Sequence, residues 1–153
     1  MMVTVYGTPQ PAGSKKAFKH AQTGRIVVMD DAKRSRPWKQ EIVATVRQDL
    51  GNTFFSGPVQ MHLTFYVGRP KGHYGTGRNA DTIRKGAPLY PTVKPDLTKL
   101  VRAVEDALTV ARVWVDDAQV VQQTAKKLYG APERVEIRVD PMWFPPREVE
   151  AAA

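Results

Sequence analysis

The segment KPDLTKLVRAVEDALTVARVWVDD, residues 94–117, constrains this chain more than any other stretch. Pro95 disfavours helical angles at Lys94, and Asp96 is a preferred residue at a helix start, so a helix is expected from Asp96. Leu97, Leu100, Val101, Val104, Leu108 and Ala111 recur every three or four residues and give that helix one apolar face for a core. Thr98, Arg102, Glu105 and Thr109 form a polar stripe on the other side, with Arg102 about one turn above Thr98. A phosphate near the helix start would meet that arginine.

Residues 112–115 are expected to run extended into Asp116 and Asp117. A helix over residues 96–111 is roughly 22–24 Å long and six extended residues span roughly 20 Å, so a chain folding straight back would return the acidic pair to Asp96. Carboxylates meeting from a helix start and a strand end suit magnesium, which takes oxygen ligands and keeps waters for substrate phosphates. Such a metal activates water and offsets charge in phosphodiester cleavage. Taken singly, Pro-Asp is ordinary capping and Asp-Asp an ordinary turn. Glu105 lies about 10 Å beyond Thr98 along the helix and is not expected to join the acids.

In order, Lys94-Pro95-Asp96-Leu97-Thr98-Lys99-Leu100, Glu105-Asp106-Ala107-Leu108, Trp114-Val115-Asp116-Asp117-Ala118-Gln119-Val120-Val121 and the later Lys127 resemble the RusA family of Holliday junction resolvases. The resemblance implies a small, homodimeric, magnesium-dependent endodeoxyribonuclease, with manganese as the alternative metal, that cuts four-way DNA junctions in recombination and repair. Such enzymes are commonly encoded by phages or prophages. It matches Asp96 and Asp117 to catalytic, metal-binding carboxylates, with Asp116 assisting, and Arg102 to a basic residue, usually lysine, near the scissile phosphate. Lys99 and Lys127 become phosphate contacts. One position departs: Thr98 stands where the family's P-D-x-D pattern has its second acid. A neutral hydroxyl is the weaker ligand, so a branched-DNA-binding protein that does not cut is the alternative reading.

Charge fits a polyanionic partner. The net charge of +8 is uneven: residues 1–40 carry +6 and residues 68–95 carry +5, while residues 96–153 carry −2. Metal-holding acids repel DNA, and basic flanks offset that repulsion. Lys15 and Lys16 lie in a Gly/Pro-punctuated loop over residues 7–19. Arg69, Lys71, Arg78, Arg84 and Lys85 lie in a long basic loop over residues 68–95, with His73, Tyr74 and Tyr90 available to opened bases. Cysteine is absent, which excludes disulfides, thiolate zinc sites and a cysteine nucleophile. With no signal peptide or membrane-length apolar run, a cytoplasmic location in a bacterial or phage-infected cell is expected, with no membrane partner.

Strands are expected at residues 2–6, 25–29, 58–67, 118–129 and 133–139, and a first helix over residues 31–50. Residues 2–6 and 25–29 would form a hairpin-like unit. Trp38, Ile42, Val43, Val46 and Leu50 share a face of that first helix. In the strand over residues 58–67, His62 falls on the face away from the core. The expected fold class is α/β (α+β): one domain over residues 1–140, a mixed β-sheet with two principal helices, then a Pro-rich tail over residues 141–153.

Overall fold

Strict alternation decides the centre of the sheet. Val59, Met61, Leu63, Phe65 and Val67 of strand β4 (Val59–Val67) are all buried, and the residues between them are half-exposed. A strand with one apolar face must lie against a covering layer. Here that layer is two helices, α1 (Ser35–Leu50) and α2 (Leu97–Ala111), which pack on one another and on one face of the sheet. Trp38, Ile42 and Val46 from α1 meet Leu100, Val104, Ala107 and Leu108 from α2 in one hydrophobic core.

A computed structural model of the chain describes residues 1–13, 15–19, 24, 26–30, 35–51 and 53–143, with backbone alone at 15–19, 26–30 and 50. The four-stranded sheet has the order β1-β6-β4-β5, where β1 is Met2–Tyr6, β5 is Val120–Tyr129 and β6 is Arg134–Pro141. β6 runs antiparallel to both β1 and β4, whereas β4 and β5 are parallel. Parallel neighbours need a long crossover, and α2 supplies it. The chain is therefore one α+β domain with a mixed sheet and two main helices.

Two expectations change, and the start of the first helix lies outside the described residues. Residues 15–19 form a strand, β2 (Lys15–Lys19), paired antiparallel with β3 (Ile26–Asp30) in a separate two-stranded ribbon. The strand expected at 25–29 therefore pairs within the loop rather than with β1, because KKAFK offers a nearer partner. The described part of α1 begins at Ser35, with residues 31–34 outside the described set; Pro37 sits in its first turn, where a missing N–H breaks no helical bond. Residues 112–115 are not extended. Val113 and Trp114 are adjacent and both buried, which no alternating strand allows, so the chain turns instead.

That turn is well specified. Arg112 adopts a left-handed conformation (φ 62°, ψ 40°) and closes α2 by donating its N–H to the last carbonyls. Trp114 Nε1 donates to Thr109 Oγ1 at 2.8 Å, and Phe55 N–H donates to Val113 O at 2.8 Å. His62 does face away from the core, its Nδ1 2.6 Å from Thr124 Oγ1. Trp143 is exposed, and residues 144–153 lie outside the described set.

Candidate active site

Asp96 is the N-cap of α2 by position, with extended backbone angles, yet its side chain makes no capping hydrogen bond. Its carboxylate is exposed and 3.6 Å from Lys99 Nζ. Two further cations act on this end of the helix. Lys127 Nζ, arriving from β5, donates to the carbonyls of Val93 (2.6 Å) and Pro95 (2.7 Å), fixing the backbone that carries Asp96. Arg102 donates to Gly13 O at 3.1 Å, and Ala12 N–H donates to Lys99 O at 2.8 Å. The first basic loop is thus fastened along the start of α2.

Asp116 and Asp117, neighbours in sequence, have different surroundings. Asp116 caps a 3-10 turn at Asp117–Gln119: its carboxylate accepts from Ala118 N–H at 2.8 Å. Gln119 completes the reciprocal cap and also donates to Phe55 O and Gly57 O, both at 2.9 Å. Asp116 therefore has an oxygen committed to the turn. Asp117 is exposed in the first position of that turn, which packs against α2.

The carboxyl group of α2 that feels the charge of Asp117 is Glu105. Its carboxyl is held above the ordinary glutamate range, first by partial burial, then by the negative charge of Asp117, and then by that of Asp106. Asp96 stands nine residues earlier, about 13 Å along the helix. Among the described residues, no three histidines or carboxylates are gathered closely enough to hold a metal ion. Asp117 is near enough to Glu105 for its charge to be felt there, and Asp96, Asp116 and Asp117 are not gathered as one three-carboxylate group among the described residues.

The donors that are present are oxygens, which suits a hard divalent cation. Magnesium keeps several waters and is bound through one or two carboxylates, so exposed Asp117 with half-buried Glu105 fits its needs. The negative charge that helps raise the proton affinity of Glu105 is also what a bound cation would relieve.

The second basic loop is built rather than slack. Two 3-10 turns, Lys71–His73 and Gly77–Asn79, and a bridge between Tyr74 and Ile83 give it shape. Gly75 N–H donates to Thr82 O and Arg84 N–H to His73 O, each at 2.9 Å. Arg69 is used internally: it donates to Pro88 O at 2.8 Å and lies 4.2 Å above the Tyr129 ring. Lys71, Arg78, Arg84 and Lys85 are exposed. The side chains of Lys15 and Lys16 lie outside the described set.

A hollow of about 480 Å³ between α1 and α2, floored by Val43, Ala44, Ala107 and Val110, is lined by none of Asp96, Asp117 and Glu105. The candidate acids occupy an open surface flanked by cations, a form suited to a nucleic-acid backbone rather than a small enclosed ligand.

Comparison with known proteins agrees. The family model for endodeoxyribonuclease RusA matches residues 7–140. The chain belongs to the RusA family. It is 33% identical over 136 residues to the uncharacterized protein YqaN of Bacillus subtilis (strain 168), covering 89% of this chain and 92% of that protein. It is 36% identical over 50 residues to the crossover junction endodeoxyribonuclease rusA of Lactococcus phage r1t, covering 33% of this chain and 38% of that protein. RusA family membership makes the chain an endodeoxyribonuclease, a phosphodiester hydrolase acting on DNA. No helix among the described residues is long and apolar enough to cross a membrane.

Sequence reasoning passed over Glu105 and Gln119. The signal for Gln119 was legible, since Asp-x-x-Gln is a capping-box spacing. Glu105 was discounted on its distance from Thr98, and its nearness to Asp117 depends on the turn at residues 112–115.

Proposed function

We propose that this chain cleaves four-way DNA junctions in a magnesium-dependent reaction, working as a homodimer whose two-fold symmetry suits paired cuts. The observation that carries the reading is the arrangement along α2, with the exposed acids Asp96 and Asp117 and an arginine set between two basic loops. Asp117, with Glu105 beside it, would hold the metal, which when bound supplies an activated water and offsets developing charge. Arg102 binds a non-bridging oxygen of the scissile phosphate and stabilises its charge. Asp96, whose oxygens are not spent on capping, is the second catalytic carboxylate and acts on cutting rather than on metal retention. Asp116 keeps the turn that presents Asp117. Lys71, Arg78, Arg84 and Lys85 place the DNA arms through phosphate contacts, while Lys127 and Arg69 hold the loops that bear on the site.

A labelled synthetic four-way junction, incubated beside linear duplex with magnesium or with EDTA, tests this reading. Paired symmetric nicks in the junction that require magnesium are expected. Tight junction binding without nicks would instead favour the non-cutting alternative that Thr98 raises. In that case, cutting restored by Thr98→Asp would identify the missing carboxylate as the cause.

A further inference from the structure

An acid in the middle of a DNA-binding surface weakens binding unless it has another task. Glu133 is an acid held between the starts of the two basic segments. It stands just before β6, which lies between β1 and β4 in the sheet, so it sits where both neighbouring strands end. Its backbone carbonyl accepts from Gly7 N–H at 3.0 Å. One carboxylate oxygen accepts from Gly68 N–H at 2.7 Å and the other from the Thr8 hydroxyl. Gly7 and Thr8 open the first basic segment, residues 7–19, and Gly68 opens the second, residues 68–95. The approach is close: a Cβ on Gly68 would lie 3.1 Å from the carboxylate oxygen. A single side chain therefore joins the roots of both segments.

We propose that Glu133 is a positioning residue that sets the spacing of the two basic segments, so that they engage one DNA junction together. The proposal rests on the DNA-cleaving reading above. Loops already ordered at their roots give up less freedom on binding, which favours affinity without any new contact.

Charge and clamp make opposite forecasts, so the test is sharp. Glu133→Gln and Glu133→Ala remove the same negative charge, and on charge alone both would bind DNA more tightly than wild type. Glutamine can still accept from Gly68 N–H and donate to the Thr8 hydroxyl; alanine can do neither. Junction affinity of the full-length chain is measured across a salt series, with melting curves on each variant. The expected result is Glu133→Gln at or slightly above wild-type affinity. Glu133→Ala should bind at least about fivefold more weakly than Glu133→Gln. Its dependence of log affinity on log salt should be shallower by about one, the value of one lost phosphate contact. Equal affinities and slopes for the two variants would overturn the proposal.

Thr8→Val covers the case in which Glu133→Ala does not fold, because it removes one arm of the clamp without altering charge. Binding about two- to threefold weaker is expected, and no change would count against the clamp. Amide exchange at Gly7 and Gly68, read without DNA, separates this proposal from the function it rests on. Faster exchange at Gly68, whose N–H loses its carboxylate acceptor in Glu133→Ala, supports the clamp, with Gly7, bonded to the retained backbone carbonyl, as the reference. Unchanged exchange overturns it even if wild type binds junctions, whereas a wild type that ignores junctions overturns the functional reading instead.

Discussion

The two ends of the polar stripe on α2 have opposite electrostatics. At the Asp96 end the carboxylate faces Lys99, and Lys127 and Arg102 secure the backbone around it. At the Glu105 end negative charges gather: partial burial first, then the charges of Asp117 and Asp106, push the Glu105 proton affinity upward. A polyanion is attracted to the first end and a divalent cation to the second. In the proposed reaction one helix would present both to a single phosphodiester, with Arg102 lying between Asp96 and Glu105 in the sequence of α2.

The largest expected effect comes from the acid end. Asp117→Asn should lower magnesium-dependent nicking by about a thousandfold or more while junction binding holds or tightens, since a repulsive charge is gone. Gel-based nicking and binding assays on the same preparation check this, and a parallel loss of binding would break the division between the ends. Next is the arginine between them. Arg102→Ala should slow cutting by about a hundredfold, and Arg102→Lys by less, because a point cation keeps part of the phosphate stabilisation. Single-turnover rates at saturating protein distinguish this from weaker binding.

Smaller effects sharpen the picture. Glu105→Gln should weaken magnesium binding by about tenfold, by calorimetry, through loss of one of two carboxylate ligands. In the metal-free protein the sign for stability reverses. The raised Glu105 pKa means that the folded state holds this proton more tightly than the unfolded chain does. That contribution is fully present below the ordinary value near 4.5 and is lost as pH rises through the raised one. Glu105→Gln should therefore melt slightly higher than wild type at neutral pH, by less than about 1 kcal/mol because water screens a half-exposed group, and the gain should vanish below that ordinary value. Asp116→Asn is expected to be the mildest change. Asparagine caps as well as aspartate does, so nicking should stay within about threefold of wild type.

The same contrast explains what the sequence made legible. The helix over residues 97–111 and the alternating strand over residues 59–67 follow from periodicity, since each buries one face and no tertiary detail can shift that register. The basic loops and the acids were legible as residue types. What they touch was not. Asp117 reaches Glu105 because Arg112 turns left-handed and Val113 and Trp114 both enter the core. Local spacing at residues 112–115 allowed an extended run equally well, and the choice was made by burial against α2. The β2-β3 ribbon was missed for a related reason: KKAFK has too few residues and too much charge to declare a strand without its partner. Glu133 gave no local signal, because its partners Thr8 and Gly68 lie 125 and 65 residues away.

In the proposed reaction the metal belongs to the Asp117–Glu105 end of α2. Titrating magnesium into wild type, Asp117→Asn and Asp96→Asn by calorimetry, without DNA, tests it most directly. Asp117→Asn should lose measurable binding, and Asp96→Asn should stay within about threefold of wild-type affinity although its cutting fails. Equal loss of magnesium binding in both variants would contradict it, placing the metal between Asp96 and Asp117 and leaving Glu105 a bystander.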